Sequence, residues 1–169
     1  FSKNEINDLL KVIKSGWIVQ GPKVKLFETM WSKYIGAKFS IAVNSCTSAL
    51  LISILASGIR RNDEVIVPSF TWASTANIVE QAGGKVVFCD ISLKDFNIDT
   101  IQLKKKINKK TRFIIPVHLF GAPCNMDEIK KIIKGKKIKI IEDAACGHGA
   151  FFNKKHVGTF GVAGCFSFH

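Results

Sequence analysis

Short β-branched runs separated by helical stretches recur along this chain, and no other feature narrows the fold as much. Ile41-Ala42-Val43, Val65-Ile66-Val67, Val86-Val87-Phe88, Phe113-Ile114-Ile115-Pro116-Val117 and Ile138-Lys139-Ile140-Ile141 read as strands. Between them, Thr47 to Ser57, Thr71 to Gln81, Thr100 to Ile107 and Asp127 to Ile133 read as helices, and Gly164 to His169 is a further apolar strand. Strands this apolar have no polar face to offer water, so their sheet must be covered on both sides. A helix after each strand is what a parallel sheet needs for its crossovers. The expected fold class is α/β, a mostly parallel sheet sandwiched by helices. Two helices precede it: Ser2 and Glu5 form a capping box ahead of Ile6, Leu9, Leu10 and Ile13, and Gly21-Pro22 opens a second helix that runs to Gly36.

With 47% hydrophobic residues in 169, the chain can bury a sizeable core. The net charge of +12 is the excess of 25 Lys and Arg over 13 Asp and Glu, and the lysines crowd into clusters at 104–106, 109–110, 130–131 and 134–139. These fall on helix faces and turns, where charge runs are usually solvated, and no aromatic residue interleaves them as a stacking platform. Nucleic-acid binding is therefore not expected. Five cysteines with no CxxC pair argue against a disulfide framework or a zinc site and for a reducing compartment, the cytoplasm. The longest apolar stretch, Ala49 to Ile59, is too short to span a bilayer, so no membrane association is expected. No repeat and no linker interrupts residues 1–169, which are expected to form one cofactor-binding domain.

In open α/β sheets ligands sit beyond the carboxyl ends of the strands, so those ends are where chemistry is sought. Ser45, Thr47 and Ser48 lie at a helix start, where free N–H groups and the positive end of the helix dipole suit a phosphate; plain N-capping would also account for them. Asp143 ends a near-apolar strand, where a carboxylate needs a cation or hydrogen-bond donors. A protonated pyridine nitrogen would meet that need; a helix N-cap or a metal-binding carboxylate are the alternatives. Trp72 could stack on a flat ring or belong to the core. Cys146-Gly147-His148 places a thiol near a base without matching a known hydrolase pattern. No Walker A, GxGxxG, GxSxG or HExxH sequence occurs.

Taken in order, the strand-end segments closely resemble the DegT/DnrJ/StrS family of pyridoxal-phosphate (PLP) sugar aminotransferases, a branch of the aspartate-aminotransferase fold. The matching pieces are Trp17-Ile18 with Gly21-Pro22, Asn44 to Leu50, Asp63 to Trp72, and Pro116 to Gly121. Further on come Glu142-Asp143-Ala144-Ala145, Gly147 to Ala150, Val157 to Gly161, and Phe166-Ser167-Phe168-His169. The resemblance implies that Thr47, Ser48 and Ser167 hold the PLP phosphate, Trp72 stacks on the pyridine ring, and Asp143 pairs with the ring nitrogen. It places the Schiff-base lysine three positions past His169, so the chain is expected to stop before that lysine and to lack the small C-terminal domain. Cys146 stands where the family usually has Gln or His near the cofactor's phenolic oxygen, and Cys46 where it often has Gly. The implied partners are a nucleotide-linked keto sugar, an amino-acid donor such as glutamate, and a second subunit forming a homodimer. Members with His in place of the lysine are sugar dehydratases, so that reaction, or a non-catalytic remnant, is the alternative.

Overall fold

A computed structural model describes residues 2–169, and the chain divides into two compact units, Phe1–Ala42 and Val43–His169. In the first, α1 (Lys3–Ser15) starts on the expected capping box, with the Ser2 side chain accepting from the Asn4 N–H and the Glu5 carboxylate from the Ser2 N–H. Helix α2 (Pro22–Ile35) begins with proline in its first turn, where the missing N–H costs no hydrogen bond. Along its side, Trp31 lies between Phe27 and Tyr34 at centroid distances of 6.5 and 5.4 Å.

The second unit contains α3 (Cys46–Ala56), β1 (Glu64–Pro68), α4 (Ser74–Gln81), β2 (Lys85–Cys89), α5 (Thr100–Lys106), β3 (Thr111–Ile114), α6 (Met126–Ile133) and β4 (Lys139–Asp143). A hairpin of β5 (Phe151–Phe152) and β6 (Lys155–His156) follows, and then β7 (Ala163–Cys165). The main sheet runs β2-β1-β3-β4-β7 with every neighbouring pair parallel. Alternate residues leave each strand for opposite layers. Val65, Val67, Phe113, Ile115 and Ile141 pack with Leu50 and Ile54 of α3 and Ile78 and Val79 of α4. Ile66, Ile114 and Ile140 pack with Leu103 of α5 and Met126 and Ile129 of α6. Every buried side chain in these two layers is removed from water, at roughly 1.5–3 kcal/mol for each large aliphatic one. The lysine clusters are exposed, as their positions on helix faces and turns suggested.

Three expectations need correction. Ile41-Ala42-Val43 forms no strand: it pairs with no described strand, and Ile41 and Val43 are 80% and 38% exposed. An apolar triplet becomes a strand only where a neighbour takes its N–H and C=O groups. The run from Gly164 to His169 contributes only its first residues to β7, and α4 begins at Ser74 because the segment after β1 turns before it coils. The β5–β6 hairpin was not foreseen; its two-residue turn places Asn153 and Lys154 in the left-handed region, at φ 48° and 63°.

Edge strand β7 is held by close backbone packing: a Cβ on Gly164 would run into the Gly158 backbone, and a Cβ on Gly158 into the Phe166 ring. Gly164→Ala is therefore expected to destabilise the unit by at least about 2 kcal/mol, since backbone cannot give way as a side-chain tip can. Urea denaturation measures it, and a change below about 0.5 kcal/mol would show that β7 tolerates displacement.

Candidate functional site

Because the sheet is parallel, the carboxyl ends of β1, β3, β4 and β7 share one edge, and the strand order reverses at β1, which parts the flanking loops. Two carboxylates, Glu142 and Asp143, stand side by side at the end of β4, both buried. Strand alternation sends them to opposite layers, and their surroundings differ in kind.

Glu142 is saturated. Its Oε2 accepts from His118 Nε2 (3.0 Å) and the Gly158 N–H (2.7 Å), and its Oε1 from the N–H groups of Phe160 (2.6 Å) and Gly161 (2.7 Å). The Cys124 N–H donates to His118 Nδ1 at 3.1 Å, so that nitrogen carries no proton and Nε2–H is the donor to Glu142. Four donors fill the four lone-pair positions of a carboxylate, leaving Glu142 nothing to offer a ligand. It ties the 158–161 turn, and through it β7, to the centre of the sheet.

Asp143 is half satisfied. The Thr75 hydroxyl donates to its Oδ2 at 2.8 Å and the Ala145 N–H to its Oδ1 at 3.2 Å; no Lys or Arg among the described residues pairs with it. Burial pushes its carboxyl above the ordinary carboxylate range, against the opposing pull of the Thr75 hydroxyl and the Ala145 N–H. A buried anion so raised is a place where a cationic partner gains the most.

Several residues singled out from the sequence connect to Asp143 through strand register or a neighbouring residue. Register pairs Asp143 with Cys165 on β7, and two residues further on the Ser167 N–H donates to the Ala145 carbonyl at 3.3 Å. Helix α3 packs on both β4 and β7: Cys46 in its first turn lies against the layer of Ile141 and Cys165, and Ser53 Oγ, two turns on, is 3.4 Å from Cys165 Sγ. Ser45, not Thr47 or Ser48, is the N-cap: its Oγ accepts from the Ser48 N–H at 3.1 Å. Thr47 is exposed and its hydroxyl is not spent on the cap. Its N–H and that of Cys46 open the helix, where no intrahelical acceptor exists. Trp72, 80% exposed, follows β1, and its carbonyl accepts from the Thr75 N–H. The Trp72 ring is thus a surface feature rather than core.

The cysteines divide by reactivity. Burial, reinforced by the neighbouring Asp143, Cys165 and Cys146, pushes the Cys46 thiol up to about 12, and burial does the same for Cys165. Neither is a nucleophile at neutral pH. Cys146 is exposed, while the nearby His148 packs its ring on Phe166 and Phe168 at 5.8 and 4.7 Å, and burial shifts it toward the neutral form. No group of three or more potential metal ligands is found among the described residues, and no described helix is long and apolar enough to cross a membrane. A cavity of about 360 Å³ lies at the opposite, amino ends of β3 and β4, lined by Lys109, Arg112, Lys136 and Lys137.

Sequence reasoning missed Thr75 and the roles of Glu142 and His118. Strand parity could have separated Glu142 from Asp143. A threonine on the core side of α4 carried a weaker signal, since threonine is common at such positions for packing alone.

The chain and its fold have close counterparts. A profile of the DegT/DnrJ/EryC1/StrS aminotransferase family matches residues 1–169. The chain belongs to this family. It is 38% identical to the spore coat polysaccharide biosynthesis protein SpsC of Bacillus subtilis, over 99% of this chain and 43% of that protein. It is 39% identical to the dTDP-3-amino-3,6-dideoxy-alpha-D-galactopyranose transaminase of Aneurinibacillus thermoaerophilus, over 94% of this chain and 44% of that protein. Among solved structures, the E. coli GDP-4-keto-6-deoxy-D-mannose-3-dehydratase with bound hydrated PLP superposes with a TM-score of 0.91 at 36% identity, covering 96% of this chain and 43% of that one. The chain thus spans less than half the length of these relatives. The family sheet is present as expected, α/β and parallel.

Proposed function

We propose that the full-length protein is a PLP-dependent aminotransferase that moves an amino group from glutamate onto the keto group of a nucleotide-linked sugar, in the cytoplasm and as a homodimer. Residues 1–169 are its large cofactor-binding domain. The observation that carries this reading is Asp143: a buried carboxylate whose two hydrogen-bond donors fill only half of its acceptor positions, on a strand packed by the helix whose start suits a phosphate. Family membership and likeness to a sugar transaminase and a polysaccharide-biosynthesis protein support the substrate class, which points to amino-sugar and cell-surface polysaccharide biosynthesis.

The residues fit the cofactor. Asp143 would hold the ring nitrogen protonated, Trp72 would cover one ring face, and Thr47, Ser48 and Ser167 would take the phosphate beside the first turn of α3. Cys146 would stand near the phenolic oxygen, offering a weaker hydrogen bond than an amide or imidazole. Bound there, PLP supplies the carbonyl that takes up the amino group and an electron-withdrawing ring. The chain's own part is to fix the ring's plane, keep its nitrogen charged and anchor its phosphate.

The deciding position is the third residue past His169. Lysine there supports transamination; histidine supports the dehydratase reading, which the likeness to the E. coli 3-dehydratase favours. Within this chain, Ser167→Ala in the full-length protein is expected to weaken cofactor retention about tenfold, the loss of one hydrogen bond to a charged group. Equilibrium dialysis measures it, and unchanged affinity would remove Ser167 from the phosphate site.

A further inference from the structure

We infer that Thr75 is a positioning residue for the cofactor ring, linking the group that meets the ring nitrogen to the one that covers the ring face; this rests on the reading of Asp143 and Trp72 above. Thr75 is fully buried in the first turn of α4. Its hydroxyl donates to Asp143 Oδ2 at 2.8 Å, and its backbone N–H donates to the Trp72 carbonyl at 3.1 Å. One residue therefore holds the carboxylate through its hydroxyl and, through its backbone, closes the end of the 69–73 segment that carries the indole.

The hydrogen count gives the contact a direction. Thr75 has one hydroxyl proton, and a carboxylate can only accept, so that proton points at Asp143. The contact between Thr71 Oγ1 and Thr75 Oγ1, at 3.2 Å, must then have Thr71 as donor. The chain Thr71 to Thr75 to Asp143 is polarised toward the carboxylate, each bond strengthening the next. With the Ala145 N–H on the other oxygen, Asp143 is held by one donor on each side, and its remaining lone pairs face away from both. A carboxylate without the Thr75 contact would be free to rotate about its Cβ–Cγ bond, and it would be harder to ionise among Cys46, Cys165 and the apolar layer between them.

The test uses the cofactor-free full-length protein and pyridoxamine 5′-phosphate, which carries the ring nitrogen and phosphate but cannot form an imine with a lysine. A second probe is its analogue with C–H in place of the ring nitrogen. Thr75→Val, which keeps the shape and loses the hydroxyl, is expected to weaken pyridoxamine phosphate about tenfold and the carbon analogue less than about twofold, with Thr75→Ser restoring wild-type affinity to within about twofold. Equal weakening of both probes in Thr75→Val would make Thr75 a packing residue and overturn the inference, as would no weakening of either. Should Thr75→Val lose its native circular dichroism, Thr75→Ala gives the same comparison without a branched side chain to place. Asp143→Asn is the control: if it leaves pyridoxamine phosphate affinity unchanged, the ring-nitrogen reading fails; if it weakens binding while Thr75→Val does not, only the role of Thr75 fails.

Discussion

Asp143→Asn is expected to lower turnover of the full-length enzyme about a hundredfold or more while making the cofactor-free protein more stable at neutral pH. The two effects share one cause. Burial holds the Asp143 carboxyl above the ordinary carboxylate range, so the folded chain binds its proton more tightly than the unfolded chain does. Between the unfolded value, near 3.8, and the raised folded value, the native state carries the extra proton, and stability falls as pH climbs through that window. Above it the cofactor-free protein bears the whole penalty of a buried, half-satisfied charge. Asparagine removes the charge and keeps the contacts: its carbonyl accepts from the Ala145 N–H, and its amide donates to the Thr75 oxygen, which then turns its proton elsewhere. A gain of about 1 kcal/mol would raise the melting temperature by roughly 2–4 °C at pH 7.5 and vanish near pH 4. Saturating PLP should reverse the order, because only the carboxylate gains an ion pair. The catalytic loss, at least about 2.7 kcal/mol, reflects a ring nitrogen no longer kept protonated. Turnover within tenfold of wild type, or a variant less stable than wild type at neutral pH without cofactor, would contradict the assignment.

How far the sequence disclosed this architecture depends on where each residue's partners lie. The runs Val65-Ile66-Val67 and Val86-Val87 announced strands because alternate residues feed two separate apolar layers, which demands β-branched side chains at consecutive positions; Phe88, on the edge strand, stays exposed. Ile41-Ala42-Val43 has the same local character and forms none, because pairing is decided by a neighbour that local sequence does not name. The β5–β6 hairpin escaped notice because two-residue strands have no periodicity to read. At the site, Asp143 and the start of α3 were legible as a charge and a run of donors at strand ends. Thr75 was not, because its contact spans 68 positions of chain and needs the α4 packing geometry to exist. The resemblance supplied PLP; spacing alone left the Asp143 ligand open.

Glu142 should be the more damaging carboxylate to remove, for the opposite reason to Asp143. Glu142→Ala in the full-length protein strands four donors, the His118 Nε2–H and three backbone N–H groups, where no solvent reaches, and leaves a cavity besides. A loss of about 3–5 kcal/mol is expected, comparable to breaking a buried ion pair. Glu142→Gln separates the hydrogen bonds from the volume. Whichever way the amide is turned, its NH2 meets an N–H donor. On one side these are the Phe160 and Gly161 amides; on the other, the Gly158 amide and His118. His118 cannot yield by switching tautomer without giving up the Cys124 N–H bonded to its Nδ1. Glutamine should therefore lose roughly 2 kcal/mol with almost no change in shape. Both variants loosen the turn that packs Gly158 against Gly164 and Phe166, one residue before Ser167, so cofactor retention should fall along with stability. Urea denaturation with parallel cofactor titration tests both effects. A Glu142→Gln protein as stable as wild type would mean that the 158–161 turn is held by its own packing, and that the saturated carboxylate follows the fold rather than fastening it.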